Sequence, residues 1–431
     1  MPPAPRWIAD AETKFTLPRD VDLRAYCSER GVLLPDIARA KGPGDEEFIR
    51  RHHDLGVPVL SYITFSNRRL EPDERSFPGA FRLADAPELA IYDEKSVRER
   101  SIFADQDDPR RLDICSNTPA LVEAMLREVR AHMEAGLDGL FLDHPFGVTR
   151  CFGEEFGIHD HIYHHDDIAD LPEDYLRFAP GREAPCDDPL GNYAYAMLLN
   201  RAQQVMDEYG PGKTLMLNTT FWPFYYSSQP IPKFVMYAPH YPRTVPGVYW
   251  EHGHSCLLES FIVVPAKLIR PDTNSDQGIR WQDFDRWMHL AETPPQRIAE
   301  GKRQVALPYF GAGDQRDNAY FCFAAAKLAD LIWWSGPAPP GGEFCGFRLG
   351  RPADPDYLTE GEVRYRRYPH GFVACNPTDA EHKVSVEIPQ RKVEDLYEAR
   401  ARTASSGRLE ITLPPQSGRV YLYNTAPRGR A

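Results

Sequence analysis

The chain has no apolar run near the roughly 18 residues needed to cross a bilayer, so no membrane span is expected. Its opening, MPPAPRWIADAETKF, has no basic stretch followed by an apolar one, and therefore shows no secretory leader. Positive charge is in deficit: 50 Lys and Arg face 63 Asp and Glu, a formal charge of −13. That balance argues against nucleic acid or an anionic membrane as partner, since both reward clustered basic residues. The eight cysteines (27, 115, 151, 186, 256, 322, 345 and 375) form no CxxC pair. They are expected as buried thiols in a reducing cytoplasm. No G-x-G-x-x-G opens a helix, and P-loop and G-x-S-x-G patterns are absent, which leaves dinucleotide, nucleotide-triphosphatase and serine-hydrolase readings little support. There is no internal repeat and no low-complexity tract.

What is present is a globular composition, 42% hydrophobic and 12% aromatic, with 40 prolines that point to long, stiffened loops. At 431 residues the chain suits a barrel plus a small appendage. Short apolar runs alternate with helical patterns. The weakest strand candidate is Gly31–Asp36; clearer order starts with a helix from Glu46 to Leu55 and a β-rich run Val57–Phe65. Leu112–Ser116 reads as a short strand, and Asn117 or Thr118 then caps a helix with Pro119 at its first position. Leu121, Val122, Met125, Leu126, Val129 and Met133 mark that helix's buried face. Gly136 closes it, and Leu140-Phe141-Leu142 follows as a strand buried on both sides that stops on Asp143. A helix from about Tyr193 to Tyr209, the strand Thr214–Asn218, the run Ser255–Glu259, a helix within Trp281–Glu300, the strand Gln304–Tyr309, the helix Asn318–Leu328 and the strand Leu331–Trp334 complete the series. Seven or eight such units predict a parallel sheet closed as a (β/α)8 TIM barrel. Long insertions are expected at 66–111 and 144–190. After the Pro/Gly-rich segment 336–342, alternating runs at Val363–Tyr365, Gly371–Cys375, Val384–Ile388, Leu409–Leu413 and Arg419–Tyr423 predict a small antiparallel β-sandwich. The expected division is a barrel over 1–336 and a sandwich over 343–425.

The stretches NTPALVEAMLREVRAHMEAGLDGLFLDH, KTLMLN and CLLES resemble bacterial glycoside-hydrolase-like (β/α)8 proteins, which share an N-x-P helix start and a G-x-D-G-apolar-D fourth strand. RYRRYPHGFVACNPTD and LEITLPPQSGRVYLY are similar to the β-sandwich that closes many of those proteins. The resemblance spans about residues 50–425. It implies hydrolysis of a glycosidic bond with a carbohydrate or glycosylated small molecule as substrate.

Such hydrolysis uses two carboxylates, roughly 5–5.5 Å apart for retention or 6.5–9.5 Å for inversion. Asp143 and Glu259 each end an apolar run at the side of a barrel where ligands bind. By the resemblance Asp143 takes the nucleophile position at the fourth strand, Glu259 is the acid/base near the sixth, and the outcome is retention. Glu251 and Asp314 are reserves for the acid role. Candidate sugar contacts are Tyr62, Asn117, His144, Asn218, Trp222, Tyr237, Tyr309 and Arg316. No cofactor and no metal is assigned. Two alternatives stay open: a metal-dependent hydrolase or lyase built on the His159–Asp167 loop with His252 and His254, and a non-catalytic carbohydrate-binding barrel.

Overall fold

A helix that must stop and a strand that must start without a side chain organise the barrel wall. In the computed structural model, helix α1 (Pro119–Glu134) opens on Thr118, whose hydroxyl accepts from the Leu121 amide at 3.3 Å. It ends before Gly136 at φ +88°, a conformation that suits glycine. Asp138 then accepts from the Val59 amide at 2.8 Å, and His53 Nε2 bonds the same carboxylate oxygen at 2.7 Å. At Gly139 an added Cβ would lie 2.3 Å from the Thr214 carbonyl oxygen, so the strands approach too closely there for any side chain.

The structure describes residues 4–16, 21–40, 42–65, 67–69, 77, 80–98, 111–143, 150–172, 189–218, 255–259, 261–265, 275–280, 284–291, 298–312, 315–336 and 338–429. Eight parallel strands close the barrel: β1 (Thr13–Thr16), β2 (Ile37–Ala40), β3 (Val59–Thr64), β4 (Gly139–Asp143), β5 (Thr214–Asn218), β6 (Ser255–Glu259), β7 (Arg303–Leu307) and β8 (Ile332–Trp334). Their order around the barrel is the chain order, with β1 beside β8. Register places Leu60 against Gly139 and Thr64 against Asp143 on one side of β4, and Gly139 against Thr214 on the other. Leu140 and Leu142 are fully buried, as a strand packed on both faces requires.

Two expectations are corrected. The first strand is Thr13–Thr16 rather than Gly31–Asp36; it carries Lys14, a charge that hides a strand from a hydrophobicity reading. The Lys14 ammonium lies buried 3.1 Å from the Trp334 ring centroid, so the charge is housed by an aromatic face. The strand near residue 112 is Arg111–Asp113, and it pairs antiparallel with Asn67–Arg69 in a ribbon outside the barrel. Among the described residues no helix is long and apolar enough to cross a membrane.

By packing, the chain divides into two units: Met1–Arg6 with Arg39–Leu257, and Trp7–Ala38 with Leu258–Ala431. The second unit contains the antiparallel sandwich, a six-stranded sheet and a two-stranded one. The smaller sheet pairs His382–Glu387 with Arg408–Leu413, whose burial alternates residue by residue. Val363, Phe372, Val386, Leu409, Ile411 and Tyr421 fill the sandwich core. Helix α2 (Gln315–Leu328) packs against the larger sheet so closely that a Cβ on Gly418 would fall 2.3 Å from the Tyr320 carbonyl.

Within the first unit, α1 buries two titratable groups among its apolar residues. Glu128 is ion-paired with Arg68 at 2.6 Å. Burial, and secondarily the charge of Arg68, pushes the His132 imidazole down to about 3. An imidazole neutral in the folded protein titrates at its ordinary value, 6.5, once unfolded. The unfolded chain therefore binds the extra proton below that pH, and stability present above it is lost as pH falls toward the folded value. The slope from this one group reaches about 1.4 kcal/mol per pH unit. Urea unfolding of wild type and His132→Leu should diverge in pH dependence between about pH 7 and 5, the variant being the flatter; parallel curves would contradict the buried neutral imidazole. Gly139→Ala should cost about 1–3 kcal/mol of unfolding free energy by overpacking, measured as a lower urea midpoint; an unchanged midpoint would contradict the close approach of β4 and β5.

Candidate functional site

Parallel strands in register present equivalent residues side by side, so the ends of β3, β4 and β5 bring three polar groups together. Asp143, the last residue of β4, is half-buried. Its Oδ2 accepts from the Tyr62 hydroxyl at 2.6 Å and its Oδ1 from the Asn218 amide nitrogen at 2.6 Å. These two short bonds, one to each oxygen, orient the carboxylate. Asn218 ends β5 and is buried. Its position follows from the ladder, in which Leu142 faces Leu217 and the next residues are Asp143 and Asn218.

Below the carboxylate lies an aromatic layer. Tyr62 stands opposite Phe141 in the β3–β4 register, with ring centroids 5.8 Å apart. The Arg39 guanidinium, from β2, lies 5.6 Å from the Tyr62 ring centroid and 5.8 Å from that of Phe141. Arg39 was missed in the sequence reading. The signal available was a single charge inside the apolar strand Ile37-Ala38-Arg39-Ala40.

The remaining candidates are spread differently. Glu259 is the last residue of β6 and half-buried; the β5–β6 register sets Asn218 against Leu257, which puts Glu259 two residues further along its strand. Asn117 is buried and spends both ends of its amide on the Tyr163 peptide, donating to its carbonyl at 2.7 Å and accepting from its N–H at 3.0 Å. Tyr309 donates to the Asp276 carbonyl at 2.8 Å. Arg316 donates to the Tyr397 carbonyl at 2.5 Å and lies 4.4 Å from that ring's centroid, fastening α2 to the sandwich. His144, Trp222 and Tyr237 lie outside the described residues, as do Glu251, His252, His254 and Asp314.

Of the histidine-rich loop, His159 and His161 converge with two cysteines, Cys115 and Cys151, that the sequence reading treated only as scattered thiols. The ligand-capable atoms of all four lie within 4.8 Å of one another. His164 turns away to Glu154, 2.9 Å from its carboxylate.

No protein-family model matches the chain, and no curated protein matches it in sequence. Solved structures do match it in fold. Trehalose-6-phosphate hydrolase of Bacillus licheniformis is 11% identical at a TM-score of 0.50, over 96% of this chain and 99% of that one. The debranching enzyme of Nostoc punctiforme is 10% identical at 0.49, over 98% and 100%. A GH27 β-L-arabinopyranosidase of Geobacillus stearothermophilus is 10% identical at 0.46, over 97% and 98%. At these identities the likeness is one of fold, and it runs along nearly the whole of both chains. The closed eight-stranded barrel shows the (β/α)8 architecture expected from sequence, and the chain resembles the solved trehalose-6-phosphate hydrolase in fold.

If Tyr62 and Asn218 orient Asp143 by charge-assisted bonds, Tyr62→Phe and Asn218→Ala should each couple to Asp143→Ala. A double-mutant cycle in urea should return about 0.5–3 kcal/mol of interaction energy for each pair; additive effects would show that the bonds do not form.

Proposed function

We propose that the chain is a glycoside hydrolase that acts on a carbohydrate or glycosylated small molecule with retention of configuration. The observation that carries this reading is the Asp143 carboxylate, held on both oxygens at the carboxyl end of β4 in a barrel whose solved likenesses are glycoside hydrolases. In this reading Asp143 is the nucleophile. It attacks the anomeric carbon while Glu259 protonates the departing glycosidic oxygen; Glu259 then takes a proton from the water that releases the sugar. Tyr62 aims the nucleophile and spreads part of its charge. Asn218 holds the other oxygen and reaches toward a sugar hydroxyl. His144, Trp222, Tyr237 and Tyr309 complete the proposed sugar-facing set. The proposed division of labour puts catalysis in residues 1–336 and support in the sandwich of 343–425, in a reducing intracellular setting.

A panel of aryl and natural glycosides tests the assignment. Asp143→Asn should remove turnover on every substrate the wild type cleaves. Glu259→Gln should lose about 10²–10⁴-fold on substrates with poor leaving groups and much less on activated aryl glycosides, which need no proton. Wild-type turnover by the Asp143→Asn protein sinks the reading. Sugar binding without turnover across the panel moves the chain to the class of carbohydrate-binding barrels.

A further inference from the structure

The four side chains Cys115, Cys151, His159 and His161 form a compact set of two sulfurs and two nitrogens, none of which has a part in the proposed hydrolysis. Cys115 lies just before the N-cap of α1, and its amide donates to the Leu89 carbonyl at 2.9 Å. Cys151, His159 and His161 come from the segment that returns after β4. The two sulfurs and His161 are buried, and none of the described cysteines is in a disulfide.

The distances suit a single tetrahedral ion. Zinc bound at about 2.3 Å to sulfur and 2.0–2.1 Å to nitrogen gives tetrahedral edges of about 3.5 Å between a sulfur and a nitrogen. Cys115 Sγ lies 3.5 Å from His161 Nε2, and Cys151 Sγ lies 3.3 Å from His159 Nε2. The atoms behind the ligands have the form that metal-binding imidazoles need. His159 Nδ1–H donates to the Glu88 carbonyl at 2.6 Å, so its Nε2 carries the lone pair, and that atom is the one facing the cysteines. His161 turns its Nδ1 toward the Glu154 carboxylate, 3.6 Å away. The Gly153 amide donates to Cys151 Sγ at 3.4 Å. Gly153 is also required sterically: a Cβ there would lie 2.4 Å from the His159 ring, so the loop is shaped around that imidazole.

We infer that Cys115, Cys151, His159 and His161 are the four ligands of a structural zinc site. Two cysteine thiols lose their protons to solvent on binding, so two thiolates balance the dication and the filled site is neutral. Four protein ligands close the coordination shell and leave no position for an activated water, which separates this site from a catalytic zinc. Its role is mechanical. It joins the start of α1 to the segment after β4, beside the pairing of Asn117 with Ile162 and Tyr163. The inference stands independently of the hydrolase reading.

The test is metal analysis of the full-length protein, purified under reducing conditions without chelator. The expected content is about one zinc per chain, retained in His164→Ala and lost in the double variant Cys151→Ser/His159→Ala. Protein stripped of metal and returned with Co2+ should show the visible bands of tetrahedral cobalt with a thiolate-to-cobalt charge-transfer band, a readout on the wild-type chain that does not depend on any variant folding. Stripping should also speed proteolysis within 150–172. No stoichiometric metal together with no cobalt spectrum overturns the site. So does full zinc in the double variant, or a Cys115–Cys151 disulfide in the natively purified protein.

Discussion

The arrangement depends on β4 being held at both ends between β3 and β5. At its entry, Asp138 binds the first amide of β3, and the missing side chain of Gly139 lets the Thr214 carbonyl come close. At its exit, the carboxylate of Asp143 is bonded by one side chain from each neighbour. Two acids five residues apart in the sequence thus do opposite jobs. Asp138 is spent on backbone and on His53, whereas Asp143 is oriented at the strand end by side chains of both neighbouring strands.

The same constraint accounts for the aromatic layer beneath the carboxylate. Parallel register places Tyr62 opposite Phe141, two residues short of the pair Thr64 and Asp143, and the phenol reaches along the strands to the acid. Arg39 from β2 adds a fixed positive charge over both rings. A carboxylate set between a phenol, an amide and a nearby guanidinium layer is oriented before any ligand arrives. Preorganisation of that kind lowers the reorganisation needed in a transition state.

Much of this was legible in the sequence because hydrophobicity changes abruptly. Leu140-Phe141-Leu142 ending on Asp143, and Thr214–Leu217 ending on Asn218, announce buried strands and the polar groups at their tips. The sandwich was legible from alternation, as in Arg408–Leu413. Lys14 concealed β1, since a charged residue in the middle of a four-residue strand erases its apolar signature. Arg39 was overlooked for a similar reason. The hydrogen bonds of Asn117 to Tyr163 and of Arg316 to Tyr397 are long-range pairings that no local pattern encodes. The thiol–imidazole cluster combines both cases: His159 and His161 stand out in a histidine-rich loop, but Cys115 reaches them only through the fold.

The most direct test of the account is to identify the residue that becomes covalently attached to sugar. Incubation with activated 2-deoxy-2-fluoro glycosides traps the glycosyl-enzyme of a retaining hydrolase, and peptide mass analysis then locates the adduct. The account predicts one fluoroglycosyl group per chain, on the peptide containing Asp143. An adduct on Glu259 or any other carboxylate, with Asp143 unmodified, would contradict it.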